Sequence, residues 1–505
     1  MSKISFKKIS LFLAFIIGVI CYTTFIGYEV IVSVVILTFF YLTYLFFKDS
    51  FQNKHSLLKN YPLIGRLRWL FEEERSKIQQ YFVENDIDGT PYNREKRSDV
   101  YQKSKNDMNT TPFGSQLDLY KNGYEFLKHS MYPKSKEEVK DPSVTFGTKF
   151  TKKKFTTSIF NISAMSYGSL SDRAILSLNG GAKLGGFYHN TGEGGISPYH
   201  IENGGDLVYQ IGTGYFGCGE TRDGKRYFNE YAFKVNANIP NVKMIEIKLS
   251  QGAKPGKGGI LPASKNTKEI AKIRGIEPND KVISPPNHSA FNNNKTLLLF
   301  IKKLRNLSGG KPVGIKMCIG DYKEVYDLLK LMKESNIYPD FITIDGGEGG
   351  TGSAPLVYTN NIGTPLIDGL IFLKSKLKEL SLNEVKIIAS GKASTSFDIV
   401  KLLSLGADSI NAARSFMLSL GCIQARECNK DTCPVGIATQ NKNLIKGLNV
   451  ENKKVRVFNY HKSIIKEVKE VIGSMGLDDI KKLNMSHIYK RVSDSDIQTF
   501  EELYK

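Results

Sequence analysis

The chain has 505 residues, 41% of them apolar, and a formal net charge of +20 from 70 Lys and Arg against 50 Asp and Glu. That length permits a large core and more than one domain, and six cysteines in such a chain exclude a small disulfide-stapled secreted fold. The lysines are scattered and no zinc-finger or basic-helix pattern accompanies them, so the charge reads as a solvated surface rather than a nucleic-acid footprint.

Two apolar runs open the chain. Ile9–Tyr28 and Val30–Phe47 are nearly free of charge, with Gly27, Tyr28 and Glu29 as the turn between them. Each is close to the roughly 20 residues that cross hydrocarbon as a helix. A signal peptide has one shorter apolar core and a small-residue cleavage site. Lys3, Lys7 and Lys8 precede the pair and Lys48, Lys54 and Lys59 follow it. The positive-inside rule therefore predicts two transmembrane helices over residues 1–48, a multi-pass anchor in the cell membrane with both ends and the catalytic part cytoplasmic. Residues 49–150 read as a juxtamembrane connector packing on lipid headgroups and on the main domain, with a helix over Trp69–Glu84 and no catalytic grouping.

From about residue 155, short β-branched runs alternate with helical patterns. Strands are expected at Ser158–Ser163, Leu207–Ile211, Lys243–Leu249, Pro312–Met317, Phe341–Ile344, Val385–Ser390 and Ala407–Ala412. Helices are expected at Ser169–Lys183, Lys268–Arg274, Lys295–Asn306, Asp321–Glu334, Ile367–Leu377 and Ser396–Leu403. This alternation predicts an α/β fold with a parallel sheet, and the length favours a (β/α)8 TIM barrel over residues 151–440. Residues 441–505 read as a C-terminal helical extension.

Chemistry in a barrel sits where strands end. Here the strand ends run into Ser163-Ala164-Met165-Ser166-Tyr167-Gly168, Ser250-Gln251-Gly252-Ala253-Lys254-Pro255-Gly256, Asp345-Gly346-Gly347-Glu348-Gly349-Gly350 and Gly391-Lys392, with Asn190-Thr191-Gly192-Glu193-Gly194-Gly195 nearby. Glycine there lets backbone N–H groups approach a phosphate or a flat ring. The loops around Gly391 and Arg414 occupy the place of a barrel's phosphate grip. Beyond them lie Cys422, Cys428 and Cys433, spaced C-x5-C-x4-C with a proline after the last. Soft sulfur donors select an iron–sulfur cluster, zinc or Cu(I). Zinc wants a fourth ligand, which Asp431 or a distant side chain would have to supply. Spacing leaves both open, beside the plainer reading of three buried thiols.

The motifs S-A-M-S-Y-G, N-T-G-E-G-G, Q-G-A-K-P-G, I-S-P-P, D-G-G-E-G-G-T-G and G-C-I-Q-A-R-x-C-x4-C-P-V-G-I-A-T-Q together resemble the FMN-binding synthase domain of glutamate synthase. The closer resemblance is to stand-alone FMN-binding glutamate synthase family proteins with an N-terminal membrane hairpin, over about residues 60–490. The resemblance implies an FMN-dependent TIM barrel whose three cysteines hold a 3Fe–4S cluster. Ser163, Ala164, Met165 and Ser166 would line the flavin ring, and Gln251 and Lys316 its polar edge. Gly347, Gly349, Gly391 and Arg414 would hold the phosphate. Glu193 and Lys254 would sit by the substrate, and Arg274 would bind the 2-oxoglutarate carboxylate.

The departures are specific. No glutamine amidotransferase domain precedes the barrel, so ammonia would come from solution or from a separate amidotransferase. Ile260 stands where the large enzymes place a glutamine that touches 2-oxoglutarate, and Asn287-His288-Ser289-Ala290-Phe291 also differs. No G-x-G-x-x-G dinucleotide fingerprint follows a strand, so electrons would come from a ferredoxin or a reductase subunit. The expected reaction is reduction of 2-iminoglutarate to L-glutamate. Two alternatives stand beside it: a membrane-anchored FMN/Fe–S dehydrogenase of another amino or hydroxy acid, and a non-catalytic membrane scaffold.

Overall fold

A computed structural model describes residues 18, 19, 22, 28–107 and 110–505. The chain divides into two compact units, Met1–Glu84 and Asn85–Lys505.

In the first unit a helix runs from Tyr28 to Phe51. Its Val30–Phe51 portion holds an 18-residue window with a mean hydropathy of 2.4 and no buried residue, so by length and composition it is able to cross a membrane. This corrects the expected helical hairpin. Among the described residues there is one such helix, and Tyr28 and Glu29, expected in a turn, open it. The first apolar run, Ile9–Tyr28, lies almost wholly outside the described residues. Near the helix's end, buried Asp49 accepts hydrogen bonds from Arg66 Nε at 2.7 Å and Leu63 N at 3.2 Å, which folds the chain back on itself. The helix expected at Trp69–Glu84 starts earlier, at Arg66, runs to Ile78 and ends in a π-turn over Gln79–Val83.

In the second unit eight parallel strands close a barrel in sequence order: β1 Phe160–Ile162, β2 His189–Asn190, β3 Leu207–Ile211, β4 Val242–Lys248, β5 Val313–Met317, β6 Phe341–Asp345, β7 Lys386–Ser390 and β8 Ser409–Ala412. All but β2 fall on the expected apolar runs. β3, β5 and β6 are buried at every residue, as strands covered on both faces must be. The barrel interior also holds a satisfied polar knot. Glu246 of β4 accepts from Asn190 Nδ2 at 2.7 Å, Gln210 Nε2 at 2.6 Å and Thr343 Oγ1 at 2.7 Å, binding four strands together. The intervening helices are amphipathic and capped: Ser171, Asn293, Asp321 and Thr395 each accept a backbone N–H of the first turn.

Residues 85–150 build part of this unit. Thr148 donates its backbone N–H and hydroxyl to buried Asp340 at 2.8 and 2.7 Å, at the N-terminal end of β6, and Asp340 also pairs with Arg305 at 2.9 Å. After β8 the long helix Val450–Ser474 packs on Asp172–Gly185 and Arg94–Lys105. The C-terminal stretch is not helical throughout. Ile488–Arg491 pairs antiparallel with both Glu125–Leu127 and Ile497–Thr499 to form a small sheet.

Candidate active site

A cleft of about 480 Å³, part of it open to solvent, lies at the C-terminal ends of the barrel strands. Ser163 and Ala164 follow β1, Gln251 follows β4, and Lys316 belongs to β5. Asp345 ends β6, Ser390 ends β7, and Asn411 and Ala412 end β8. Gly349, Gly350, Gly391, Lys392, Ala393, Ala413, Arg414 and Tyr92 complete the lining.

Asp345 organises one wall. Its carboxylate accepts from Gly252 N at 2.8 Å and Ser390 Oγ at 2.7 Å and lies 3.4 Å from Lys316 Nζ. Burial opposes the charge on Lys316, but Asp345, Glu246 and Glu193 together hold its ammonium above the usual lysine range. Gly252 has no room for a side chain: a Cβ would fall 2.7 Å from the Gly346 carbonyl carbon and 2.9 Å from Asp345 O. The loops after β4 and β6 therefore meet backbone to backbone. The opposite end of the cleft is cationic. Arg414 donates to Glu348 O at 3.1 Å, its guanidinium stands 5.3 Å from the Tyr92 ring, and Lys392 lies within its field. Two cations among glycine-rich turns are the donor set for a phosphate.

Beside the cleft lies a cluster of acid–base groups. Glu193 pairs with Lys248 at 2.9 Å, and Lys248 Nζ also donates to Gln251 Oε1 at 3.0 Å. One lysine thus joins the cluster to the cleft. Burial raises the Glu193 carboxyl, but Lys248, Lys254 and Arg274 outweigh it and leave the group below the usual range. Gly259 presses against it, since a Cβ there would lie 2.6 Å from Glu193 Oε1. Lys254 is buried and donates to Gly258 O and Ser353 Oγ, both at 2.9 Å. Burial, with Lys248 nearby, pushes its ammonium down to about 8, and Glu193 offsets part of that. Arg274 ends the helix Lys268–Arg274 but does not cap it. Its Nη2 donates to Tyr167 O at 3.1 Å, its guanidinium lies 5.1 Å from the Phe216 ring, and its buried Nε has no hydrogen-bond partner among the described residues. Burial lowers it to about 10 against the opposing charge of Glu193. An unpartnered guanidinium N–H beside a carbonyl-bound one is a donor left open for an acceptor such as a carboxylate.

Of the expected ring and phosphate contacts, Ser163, Ala164, Gln251, Lys316, Gly349, Gly391 and Arg414 line the cleft; Met165, Ser166 and Gly347 do not. Met165 N donates to Asn190 O at 3.1 Å, Ser166 Oγ to Ser169 Oγ at 3.3 Å, and Gly347 N to Thr364 O at 2.8 Å. Tyr92, Lys248 and Asp345 were not expected among the site residues. Lys248 and Asp345 are last residues of barrel strands, the position that marks site residues in this fold. Tyr92 carries no local signal.

Cys422, Cys428 and Cys433 lie on the segment that follows β8 and the short helix Arg414–Ser419, none of them in a disulfide, and burial raises the Cys422 and Cys428 thiols, with the neighbouring cysteines adding to the shift. Gln424, Arg426 and Asp431 adopt left-handed backbone there, with φ of 57°, 60° and 64°. Tyr101 OH donates to Cys422 O at 2.5 Å, and Gln424 exchanges two 3.1 Å hydrogen bonds with the Tyr92 backbone. A Cβ on Gly352 would lie 3.3 Å from Cys428, so the loop that lines the cleft at Gly349 and Gly350 touches the cysteine loop three residues later. Among the described residues, no three Cys, His, Asp or Glu side chains converge on a single ion. In a multinuclear cluster each thiolate takes its own iron, so the sulfurs stand farther apart than the about 3.8 Å of a tetrahedral one-metal site. The donor set, three thiols on one loop beside a buried lysine, fits a cluster of that kind.

Residues 93–478 match the family described as the conserved region in glutamate synthase. The glutamate synthase large subunit-like protein YerD of Bacillus subtilis is 35% identical over 94% of this chain and 97% of its own length. The archaeal glutamate synthase [NADPH] of Methanocaldococcus jannaschii is 35% identical over 64% of this chain and 60% of its own. The glutamate synthase [NADPH] large chain of Bacillus subtilis is 33% identical over 63% of this chain, which spans 20% of that protein.

Proposed function

The chain belongs to the glutamate synthase family and is an oxidoreductase acting on CH–NH2 donors, and we propose that it forms L-glutamate by reducing 2-iminoglutarate, using electrons from an external donor. The observation that carries this reading is the adjacency of two sites. A glycine-walled cleft has Lys316 at one edge and Arg414 and Lys392 at the other, and Lys248 joins it to Glu193, Lys254 and Arg274.

The cleft's residues fit FMN. Arg414, Lys392 and the Gly391 turn would hold its phosphate, and Lys316 and Gln251 its polar edge. FMN bound there supplies hydride transfer to the imine carbon. The chain does the rest. Lys316, kept charged by Asp345, offers positive charge to an anionic ring edge. Arg274 offers its open N–H to a substrate carboxylate. Lys254, whose ammonium titrates near pH 8, is placed to hold a second carboxylate or give up a proton, and Glu193 stays ionised, paired with Lys248, and sets its charge against Lys254 and Arg274. The three cysteines would hold a 3Fe–4S cluster that receives electrons from a ferredoxin or a reductase subunit. Ammonia would come from solution or from a separate amidotransferase. The helix Val30–Phe51 would anchor the chain to the cell membrane with the barrel cytoplasmic. A second reading, oxidation of another amino or hydroxy acid, is favoured by Ile260, which follows the Gly259 turn pressed on Glu193 and brings an apolar side chain where a polar contact is expected.

The test is cofactor content and its substrate response. Purified protein should show a flavin spectrum, about three irons per chain and labile sulfide, and the flavin spectrum should shift on adding 2-oxoglutarate. Stoichiometric zinc without sulfide, or no bound flavin, overturns the reading.

A further inference from the structure

We infer that Lys265 is a fixed positive charge, built beneath the three-cysteine loop, that raises the electron affinity of the iron–sulfur cluster proposed there. The inference rests on that reading of the cysteines.

Lys265 ends the 3-10 turn Ala263–Lys265 and is 2% exposed. Its Nζ donates to Ala438 O at 2.7 Å, Cys428 O at 2.9 Å and Ser169 O at 3.4 Å. Three carbonyl acceptors call for three N–H donors; an ammonium has three and a neutral amine two. The geometry is therefore that of the charged form. Among the described residues Lys265 belongs to no ion pair; burial lowers its ammonium below the usual lysine range, and Asp431, Cys428 and Cys433 offset part of that. Asp431 is engaged elsewhere, its Oδ1 accepting from Gln440 N at 2.8 Å.

A buried ammonium without a carboxylate in contact is costly, and buried charges are normally paired or beside metal centres. Two of its three carbonyls belong to the cysteine loop and the segment just after it, on either side of Cys433. The charge is thus clamped to the loop that would carry an anionic centre. Three thiolates and sulfide leave such a cluster net negative, and its potential depends on net charge and burial. A neighbouring cation stabilises the reduced, more negative form. The couple takes one electron from the external donor; no bond forms or breaks at Lys265.

The experiment is an EPR-monitored potentiometric titration of full-length protein carrying Lys265→Met, Lys265→Gln or Lys265→Arg, with iron and sulfide counted in each. Gln keeps N–H donors for the carbonyls without the charge, and Arg keeps the charge. We expect Met and Gln to lower the midpoint potential by at least the about 59 mV that equals a tenfold change in the one-electron oxidised-to-reduced ratio. Arg should stay near wild type. Loss of iron in Met and Gln with retention in Arg also supports the inference, because the charge then holds the anionic centre. An iron-replete Gln variant at the wild-type potential, or iron loss in all three variants, overturns it. Wild-type protein without iron and sulfide defeats the cluster reading itself, and the inference with it.

Discussion

Gly252→Ala tests whether the cleft depends on the backbone contact between the loops after β4 and β6. The added methyl would collide with the Gly346 carbonyl oxygen and sit 2.7 Å from its carbon and 2.9 Å from Asp345 O, and all three obstacles are backbone. Restoring an ordinary carbon–carbon contact of about 3.5 Å requires the loops to part by about 0.8 Å or more. That movement pulls Gly252 N from Asp345 Oδ2, now at 2.8 Å, and disturbs the carboxylate that also holds Lys316 and Ser390. Losing a charge-assisted hydrogen bond costs about 1.5–3 kcal/mol, and the overpacking costs about 1–3 kcal/mol more. If half of that total falls on the cofactor-bound state, flavin affinity drops by roughly 10- to 100-fold at 1.4 kcal/mol per decade. Flavin fluorescence quenching on titrating FMN into stripped protein measures the affinity, and circular dichroism checks the barrel. A folded Gly252→Ala protein that binds FMN as tightly as wild type would refute the reasoning.

Three further outcomes follow. Cys428→Ser should lose iron and labile sulfide while keeping flavin, by absorbance and metal analysis; simultaneous flavin loss would mean the loop scaffolds the cleft. The Lys254 ammonium, depressed to about 8, is present below that pH and lost above it; kcat/KM for 2-oxoglutarate should therefore fall toward tenfold per pH unit on the alkaline side, a limb that Lys254→Met abolishes at a lower, flat rate. A chain beginning at Asn85 should remain in the supernatant without detergent and keep its flavin, since the compact unit starts there and the exposed apolar helix does not belong to it; sedimentation with membranes would show that the barrel unit itself binds lipid.

What was legible in the sequence was what local pattern encodes. The β-branched runs gave away β1 and β3–β8 because strands buried on both faces need continuous apolar residues. β2 escaped because it is two polar residues, His189 and Asn190, and Asn190 feeds the Glu246 network rather than an apolar core. The glycine loops marked the cleft, yet Tyr92 entered it from a stretch read as a connector, 332 residues from its partner Gln424. No short-range periodicity reports such a contact. The sequence marks Lys248 only as a strand residue; its partners, Glu193 from another loop and Gln251 three residues on, reveal it as the link between cleft and acid–base cluster. The C-terminal sheet was missed for the same reason: Glu125–Leu127 finds its partner strand at Ile488–Arg491.

The most direct test of the central claim is reoxidation of anaerobically photoreduced protein by 2-oxoglutarate plus ¹⁵N-ammonium, followed by flavin absorbance and mass spectrometry of the product. The account predicts that the two together reoxidise the flavin, with one ¹⁵N-glutamate formed per two electrons, and that neither alone does so. Reoxidation by a quinone analogue while the two co-substrates leave the flavin reduced would contradict it.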